Sequence, residues 1–123
     1  MANMERSKRV LVVDDEKDIG FLMTVILKAE GYDVEFVRTL KDARTVLEAG
    51  AFDTVFLDLN LDNEYGLDLI PDLQKQDNQP TIVIITAQKE PQVREEIKAS
   101  DVDFLIEKPF NKSKILKVLR NPQ

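Results

Sequence analysis

Short apolar runs alternate with amphipathic stretches along the whole chain. Arg9-Val10-Leu11-Val12-Val13 is mostly apolar and β-branched, the pattern of a strand buried on both faces. It stops at Asp14-Asp15-Glu16. Beyond them Ile19, Leu22, Met23, Ile26 and Leu27 recur at the i, i+3, i+4, i+7, i+8 spacing of one helix face. Acidic residues suit the start of that helix and Gly31 suits its end. Asp33 to Val37 alternates in part, as a strand nearer a sheet edge does. Thr39 is placed to cap a second helix carrying Leu40, Ala43, Val46 and Leu47, which Gly50 ends. Asp53 to Leu57 reads as the third strand, followed by a loop, LNLDNEYG. A third helix carries Leu67, Ile70 and Leu73, with Pro71 early in it. Thr81 to Ile85 is the fourth strand, ending at Thr86-Ala87. Pro91 fits the first turn of a fourth helix whose apolar stripe is only Val93 and Ile97, so it is the least firmly held. Val102 to Ile106 is the fifth strand, ending at Glu107-Lys108-Pro109. The last helix carries Ile115, Leu116 and Leu119.

Strands alternating with helices in this way predict an α/β fold, a parallel sheet with helices on both faces. Ligands of such sheets bind at the carboxyl ends of the strands. That rule changes the meaning of the polar residues. Asp14 and Asp15 follow the first strand, Asp58 ends the third, Thr86 the fourth and Lys108 the fifth. Each alone reads as a helix cap or a solvated charge. A parallel sheet gathers them at one edge.

Composition narrows the chemistry. The chain has 123 residues, 43% hydrophobic and 33% charged, which is one ordinary globular domain. No apolar stretch approaches the roughly 20 residues a membrane span needs. The net charge of −6 argues against direct nucleic-acid binding, which depends on Lys and Arg neutralising phosphates. There is no cysteine and no histidine. Disulfides, thiolate or imidazole metal sites and histidine acid–base catalysis are therefore excluded. The lack of cysteine suits a cytoplasmic location. A metal would need oxygen ligands, which points to a hard cation such as Mg²⁺.

Three carboxylates within a few ångströms repel, so either some hold protons or a cation sits among them. Lys108 brings a positive charge and Thr86 a hydroxyl donor. A cation, an ammonium and a hydroxyl around one carboxylate suit a phosphoryl group, whose outer oxygens need such partners. Asp58 is then the candidate nucleophile. The plainer alternative has Asp14-Asp15 capping the first helix and Lys108 pairing with them.

VLVVDDE, VFLDLN, IVIITA and EKPF, in this order and spacing, resemble the receiver domain of two-component response regulators. The resemblance runs from about Arg9 to about Leu119. It implies a flavodoxin-like (βα)5 fold, strand order 2-1-3-4-5, with the receiver at residues 9–120 and short tails at 1–8 and 121–123. It implies that Asp58 accepts phosphate from a histidine kinase or histidine phosphotransfer protein, with Mg²⁺ held by Asp15 directly, by Asp14 through water, and by the Asn60 backbone carbonyl. Thr86 matches the switch hydroxyl and Lys108 the lysine that pairs with the phosphoryl group. The Lys108–Pro109 bond would be cis. Ile19, Leu22, Pro109 and Phe110 match the surface where the phosphodonor docks, although Ile19 and Leu22 also fit the apolar stripe. Such a protein is a phosphoacceptor switch rather than a turnover enzyme, with only self-catalysed phosphotransfer and slow autodephosphorylation. A phosphorylation-dependent dimer fits the same resemblance.

The chain departs from the family pattern in three places. Asp62 stands where proline is common, which suggests a more acidic and more mobile loop. Leu105 occupies the position of the switch aromatic, and Phe104, one residue earlier, should face the other side of the sheet. Gln88 stands at the pocket mouth, where it could influence the attacking water. Other classes fit less well. An Asp-nucleophile phosphatase needs a second Asp where Asn60 stands. A flavodoxin needs a Ser/Thr-rich phosphate loop where Asp14-Asp15-Glu16 stands. A receiver fold serving only as an interaction module is kept alive by the Phe104/Leu105 shift. The short last helix and the Asn-Pro-Gln end favour a piece of a longer regulator.

Overall fold

The computed structural model describes residues 8–87 and 90–120. The tails at 1–7 and 121–123, and Gln88, lie outside them. The main sheet holds β1 (Arg9–Val13), β2 (Asp33–Val37), β3 (Thr54–Asp58), β6 (Thr81–Thr86) and β7 (Phe104–Glu107). Two short strands, β4 (Asn60–Leu61) and β5 (Glu64–Tyr65), form a separate hairpin. The main sheet is parallel in the order β2-β1-β3-β6-β7, which is 2-1-3-4-5 among its own five strands. The helices are α1 (Lys17–Ala29), α2 (Leu40–Ala49), α3 (Ile70–Gln74), α4 (Pro91–Ala99) and α5 (Lys112–Arg120).

Period-two alternation divides the core into two layers. Leu11, Val13, Val55, Leu57, Ile82 and Ile84 face one way, against Leu40, Ala43 and Leu47 of α2, Leu73 of α3 and Ile97 of α4. Val10, Val12, Phe56, Val83, Ile85 and Ile106 face the other way, against Met23 and Leu27 of α1 and Ile115 of α5. Every residue of β3 is buried, so the central strand carries its last residue, Asp58, out of the core already desolvated. Burying one such aliphatic side chain contributes roughly 1.5–3 kcal/mol.

Helix ends follow the local chemistry. The Thr39 side chain accepts from the Asp42 N–H at 3.0 Å, the N-cap its position predicts. Gly31 has φ 93°, and the N–H groups of Gly31 and Tyr32 donate to the carbonyls of Lys28 and Leu27. That is the left-handed turn with paired bonds that closes a helix at glycine. α4 is different, because only Ile97 of its nine residues is buried.

Strand limits shift by a residue or two from the sequence expectation. The third strand includes Asp58, and the fifth starts at Phe104 and includes Glu107. Two larger expectations are corrected. Leu22 is not part of the α1 core stripe: it is 46% exposed, and the buried face is Gly20, Met23 and Leu27. The segment LNLDNEYG is not an irregular loop. It is the β4–β5 hairpin, turning through Asp62 and Asn63 with Asn63 at φ 60°, a conformation asparagine tolerates. A 3-10 turn, Gly66–Leu69, then leads into α3, so the third helix is short. β2 is an edge strand, with Asp33 and Glu35 exposed along it.

Candidate functional site

The carboxyl ends of β1, β3, β6 and β7 meet at one edge of the sheet. Asp14 follows β1 and is 1% exposed, Asp58 ends β3 at 5%, and Thr86 ends β6 at 1%. Lys108 follows β7, and its N–H donates to the Thr86 carbonyl at 2.9 Å, so the backbone itself carries the lysine to the pocket. The Lys108 ammonium lies 3.0 Å from Glu16 Oε1, 3.4 Å from Asp58 Oδ2 and 3.6 Å from Asp14 Oδ2. The Lys108–Pro109 bond is cis, as the resemblance implies.

Glu16 is a site residue that reading the sequence passed over. Among the described residues, carboxylate oxygens of Asp14, Glu16 and Asp58 lie within 4.8 Å of one another. Asp15 is outside this group, and its backbone carbonyl accepts from the Arg38 guanidinium at 2.9 and 3.2 Å. The chain bends at Asp15, directly after β1, before α1 begins. The Glu16 N–H donates to Asp14 Oδ1 at 2.9 Å, which locks the pair together. The signal was present in the i, i+2 spacing of Asp14 and Glu16.

The electrostatics are those of a crowded, partly dry pocket. Burial and the neighbouring Asp14 charge push the Asp58 carboxyl up to about 7, against the pull of Lys108 and the Asn60 N–H. Asp14 is also raised, mainly by burial. Burial pulls Lys108 down, but the hydrogen bond to Glu16 and the charges of Asp58, Asp14 and Glu16 outweigh it and leave the ammonium raised. Asp14 Oδ2 is buried with no hydrogen-bond partner. A buried carboxylate oxygen with no hydrogen bond, held only by a 3.6 Å ion pair to Lys108 beside two further carboxylates, fits a hard, oxygen-seeking cation.

The hairpin after Asp58 is fastened at both sides. Glu64 Oε1 accepts from the Leu40 N–H at 3.1 Å, satisfying one of the open donors at the start of α2. The Tyr65 hydroxyl donates to Glu96 Oε1 on α4 at 3.0 Å. A Cβ on Gly66 would sit 2.1 Å from the Asp58 carbonyl oxygen, so only glycine lets the chain return this close to the acceptor strand.

The remaining residues singled out in the sequence divide by face. Leu105 packs with the layer under α2, α3 and α4. Phe104 packs with the layer under α1 and α5, as alternation requires. Ile19 and Phe110 are half-buried against that second layer, and Pro109 is exposed. On α1, Phe21 at 70%, Leu22 at 46% and Val25 at 50% form an exposed apolar stripe. Phe21 and Val25 were detectable as surplus: seven of the nine residues from Ile19 to Leu27 are large and apolar, more than one buried helix face uses.

A family model for the response regulator receiver domain matches residues 10–120. The chain belongs to this receiver family. Response regulators of this kind serve two-component signalling. Among curated relatives, the alginate biosynthesis transcriptional regulatory protein AlgB of Pseudomonas aeruginosa is 33% identical over 103 residues, covering 83% of this receiver and 23% of that protein. The response regulator protein PilR of the same organism is also 33% identical, covering 98% of this chain and 28% of that protein. The receiver thus spans about a quarter of the length of these relatives. Among solved structures, a CheY-like receiver domain protein from Methanospirillum hungatei superposes with TM-score 0.86 at 25% identity, covering 94% of this chain and 92% of that one. The chemotaxis protein CheY4 of Vibrio cholerae superposes with TM-score 0.85 at 27% identity, covering 94% and 98%. Among the described residues, no helix is long and apolar enough to cross a membrane.

Proposed function

We propose that this receiver takes a phosphoryl group on Asp58 from the phosphohistidine of a kinase or phosphotransfer partner. The Asp58 carboxylate attacks phosphorus, the N–P bond breaks with its electron pair staying on the partner's imidazole, and an acyl phosphate forms. The observation that carries this reading is the Lys108 ammonium, within 3.6 Å of Asp14, Glu16 and Asp58, beside an Asp14 oxygen with no hydrogen-bond partner. Lys108 sits where it can pass from the carboxylates to a phosphoryl oxygen. Thr86 ends the neighbouring strand, with its hydroxyl a donor for another. Asp14, Asp58 and the Asn60 carbonyl would hold Mg²⁺, with Glu16 already beside them and Asp15 near enough for its charge to raise Asp14. A bound Mg²⁺ neutralises the carboxylates and the transferring oxygens.

The product is a switch state in the cytoplasm rather than a released product, with slow autodephosphorylation returning the free carboxylate. The exposed stripe of Leu22, Phe21 and Val25, on the helix that also carries Ile19, supports docking of the phosphodonor on α1. The test is incubation with acetyl phosphate and Mg²⁺ followed by intact-mass measurement. One phosphate adduct is expected, absent in Asp58→Asn and absent when Mg²⁺ is chelated. No Asp58-dependent adduct with any of several donors would sink the reading. A second reading, an interaction module without a working switch, is favoured by one observation: Leu105, at the switch position, carries no hydrogen-bonding group. An adduct that changes nothing elsewhere in the protein would select it.

A further inference from the structure

The switch position on β7 holds an aliphatic side chain, and the neighbouring aromatic, Phe104, packs on the opposite layer. A different aromatic reaches α4. Tyr65, on the hairpin after the acceptor, hydrogen-bonds Glu96 of α4 at 3.0 Å. We propose that Tyr65 and Glu96 couple the state of Asp58 to α4, so that phosphorylation opens this bond and loosens the helix. The inference rests on the phosphoacceptor reading and deepens it, because it assigns the route by which that site is felt elsewhere.

The geometry makes the hairpin a short lever. Asp58 Oδ1 accepts from the Asn60 N–H at 3.3 Å. Asn60 is paired directly with Tyr65 across the two strands. The Tyr65 hydroxyl then meets Glu96. Asp58 and Tyr65 are seven positions apart in sequence, yet one backbone contact and one strand pair apart in space. The lever is stiff: Leu61 is buried at 5%, the Gly66 N–H donates to the Leu59 carbonyl at 2.6 Å, and Gly66 has no room to move toward the Asp58 carbonyl. Its other side is held to α2 by Glu64. A shift at Asn60 therefore reaches Tyr65 instead of dissipating in a loose loop.

Phosphorylation alters the first contact. One Asp58 oxygen becomes the bridge of the mixed anhydride and the other a neutral carbonyl, a weaker acceptor for the Asn60 N–H than the carboxylate was. The last contact is the weakest. Glu96 is exposed, and an exposed hydrogen bond adds little to stability, so its open and closed states lie close in free energy. α4 is suited to respond, since Ile97 is its one buried residue. Small differences at Asp58 are enough to change the population of such a helix.

The test compares the unsubstituted protein with Tyr65→Phe, Glu96→Ala and Glu96→Gln, each with and without acetyl phosphate and Mg²⁺. Intact mass reads the adduct, and amide hydrogen exchange reads a peptide spanning residues 91–99. In the unsubstituted protein, exchange in α4 is expected to quicken about fivefold on phosphorylation. Tyr65→Phe and Glu96→Ala should take up the same phosphate, exchange fast before it is added, and change less than about twofold when it is. Glu96→Gln keeps an acceptor oxygen and should behave as the unsubstituted protein does. The inference is overturned if Tyr65→Phe responds as the unsubstituted protein does, or if α4 exchange in the latter ignores phosphorylation. Absence of any adduct removes the acceptor reading and this inference with it; an adduct with a normal α4 response in Tyr65→Phe removes the inference alone.

Discussion

In the pocket, three carboxylates from two parts of the chain converge on one ammonium, and two of them are almost wholly buried. On α4, a single buried isoleucine and a few half-exposed polar contacts, among them Arg94 with Glu107 and Tyr65 with Glu96, hold nine residues to the sheet. Both regions hang on the same strand ends. The pocket stores unfavourable electrostatic free energy that a bound cation or a phosphoryl group can relieve. α4 stores almost nothing, and so is cheap to move. Chemistry needs the first arrangement, because groups must be held where charge develops. A response needs the second, because only a marginally held element changes its population for a small input.

The sharpest way to break this contrast is at Gly66. A methyl group there meets the backbone of Asp58 rather than a side chain that could swing away. Gly66→Ala should cost about 2–4 kcal/mol, seen as a lower midpoint in urea unfolding, and should slow adduct formation at Asp58. A neutral outcome in both would mean that the hairpin is not rigidly tied to the acceptor strand.

Asp58→Asn should act in the opposite direction. With Asp58 raised from 3.8 to about 7 in the folded protein, the folded state keeps a proton between roughly pH 4 and 7 that the unfolded chain has lost. The folded state binds more protons there, so stability falls as pH rises through that window and levels off above it. In chelator, Asp58→Asn should flatten this slope and raise stability at pH 8 by about 1–3 kcal/mol. Urea titrations across pH 4–8 would read it. A slope unchanged by the substitution would remove the buried-charge account of the pocket.

The smallest effect is expected on α4. Arg94→Ala removes a pair with Glu107 whose members are 30% and 49% exposed, and should change global stability by less than about 1 kcal/mol. A loss as large as that of Gly66→Ala would make α4 as firmly built as the pocket, and the contrast would vanish.

The sequence carried the fold because its central strands are buried on both faces and its helices mainly on one, two patterns that are hard to confuse. Thr39 and Gly50 bound α2 as they should, since caps are decided by neighbours in the chain. The placement of Asp14, Asp58, Thr86 and Lys108 was also legible, because parallel topology alone puts strand ends together. So was the opposition of Phe104 and Leu105, which needs only alternation. The rest depended on distances in space. Which of Asp15 and Glu16 faces Lys108 turns on the bend at Asp15 that follows β1. The Glu64 contact with α2 joins residues 24 apart, and no local pattern encodes it. Leu22 fitted the helical stripe as well as its neighbours did. Only the packing of α1 decided that it, Phe21 and Val25 would stay outside.

The edge strand β2 has a bearing on solubility. Its outer margin is an open row of backbone donors and acceptors, a template on which another chain could extend the sheet. Asp33 and Glu35 stand exposed along it with Val34 and Phe36 between them. Like charges brought edge to edge repel, so at neutral pH these two carboxylates keep two copies of β2 from zipping together. Net repulsion between whole molecules fades toward the sequence isoelectric point near 4.7. Purification and storage well above that pH keep molecules apart, so the open edge of β2 meets other chains less often.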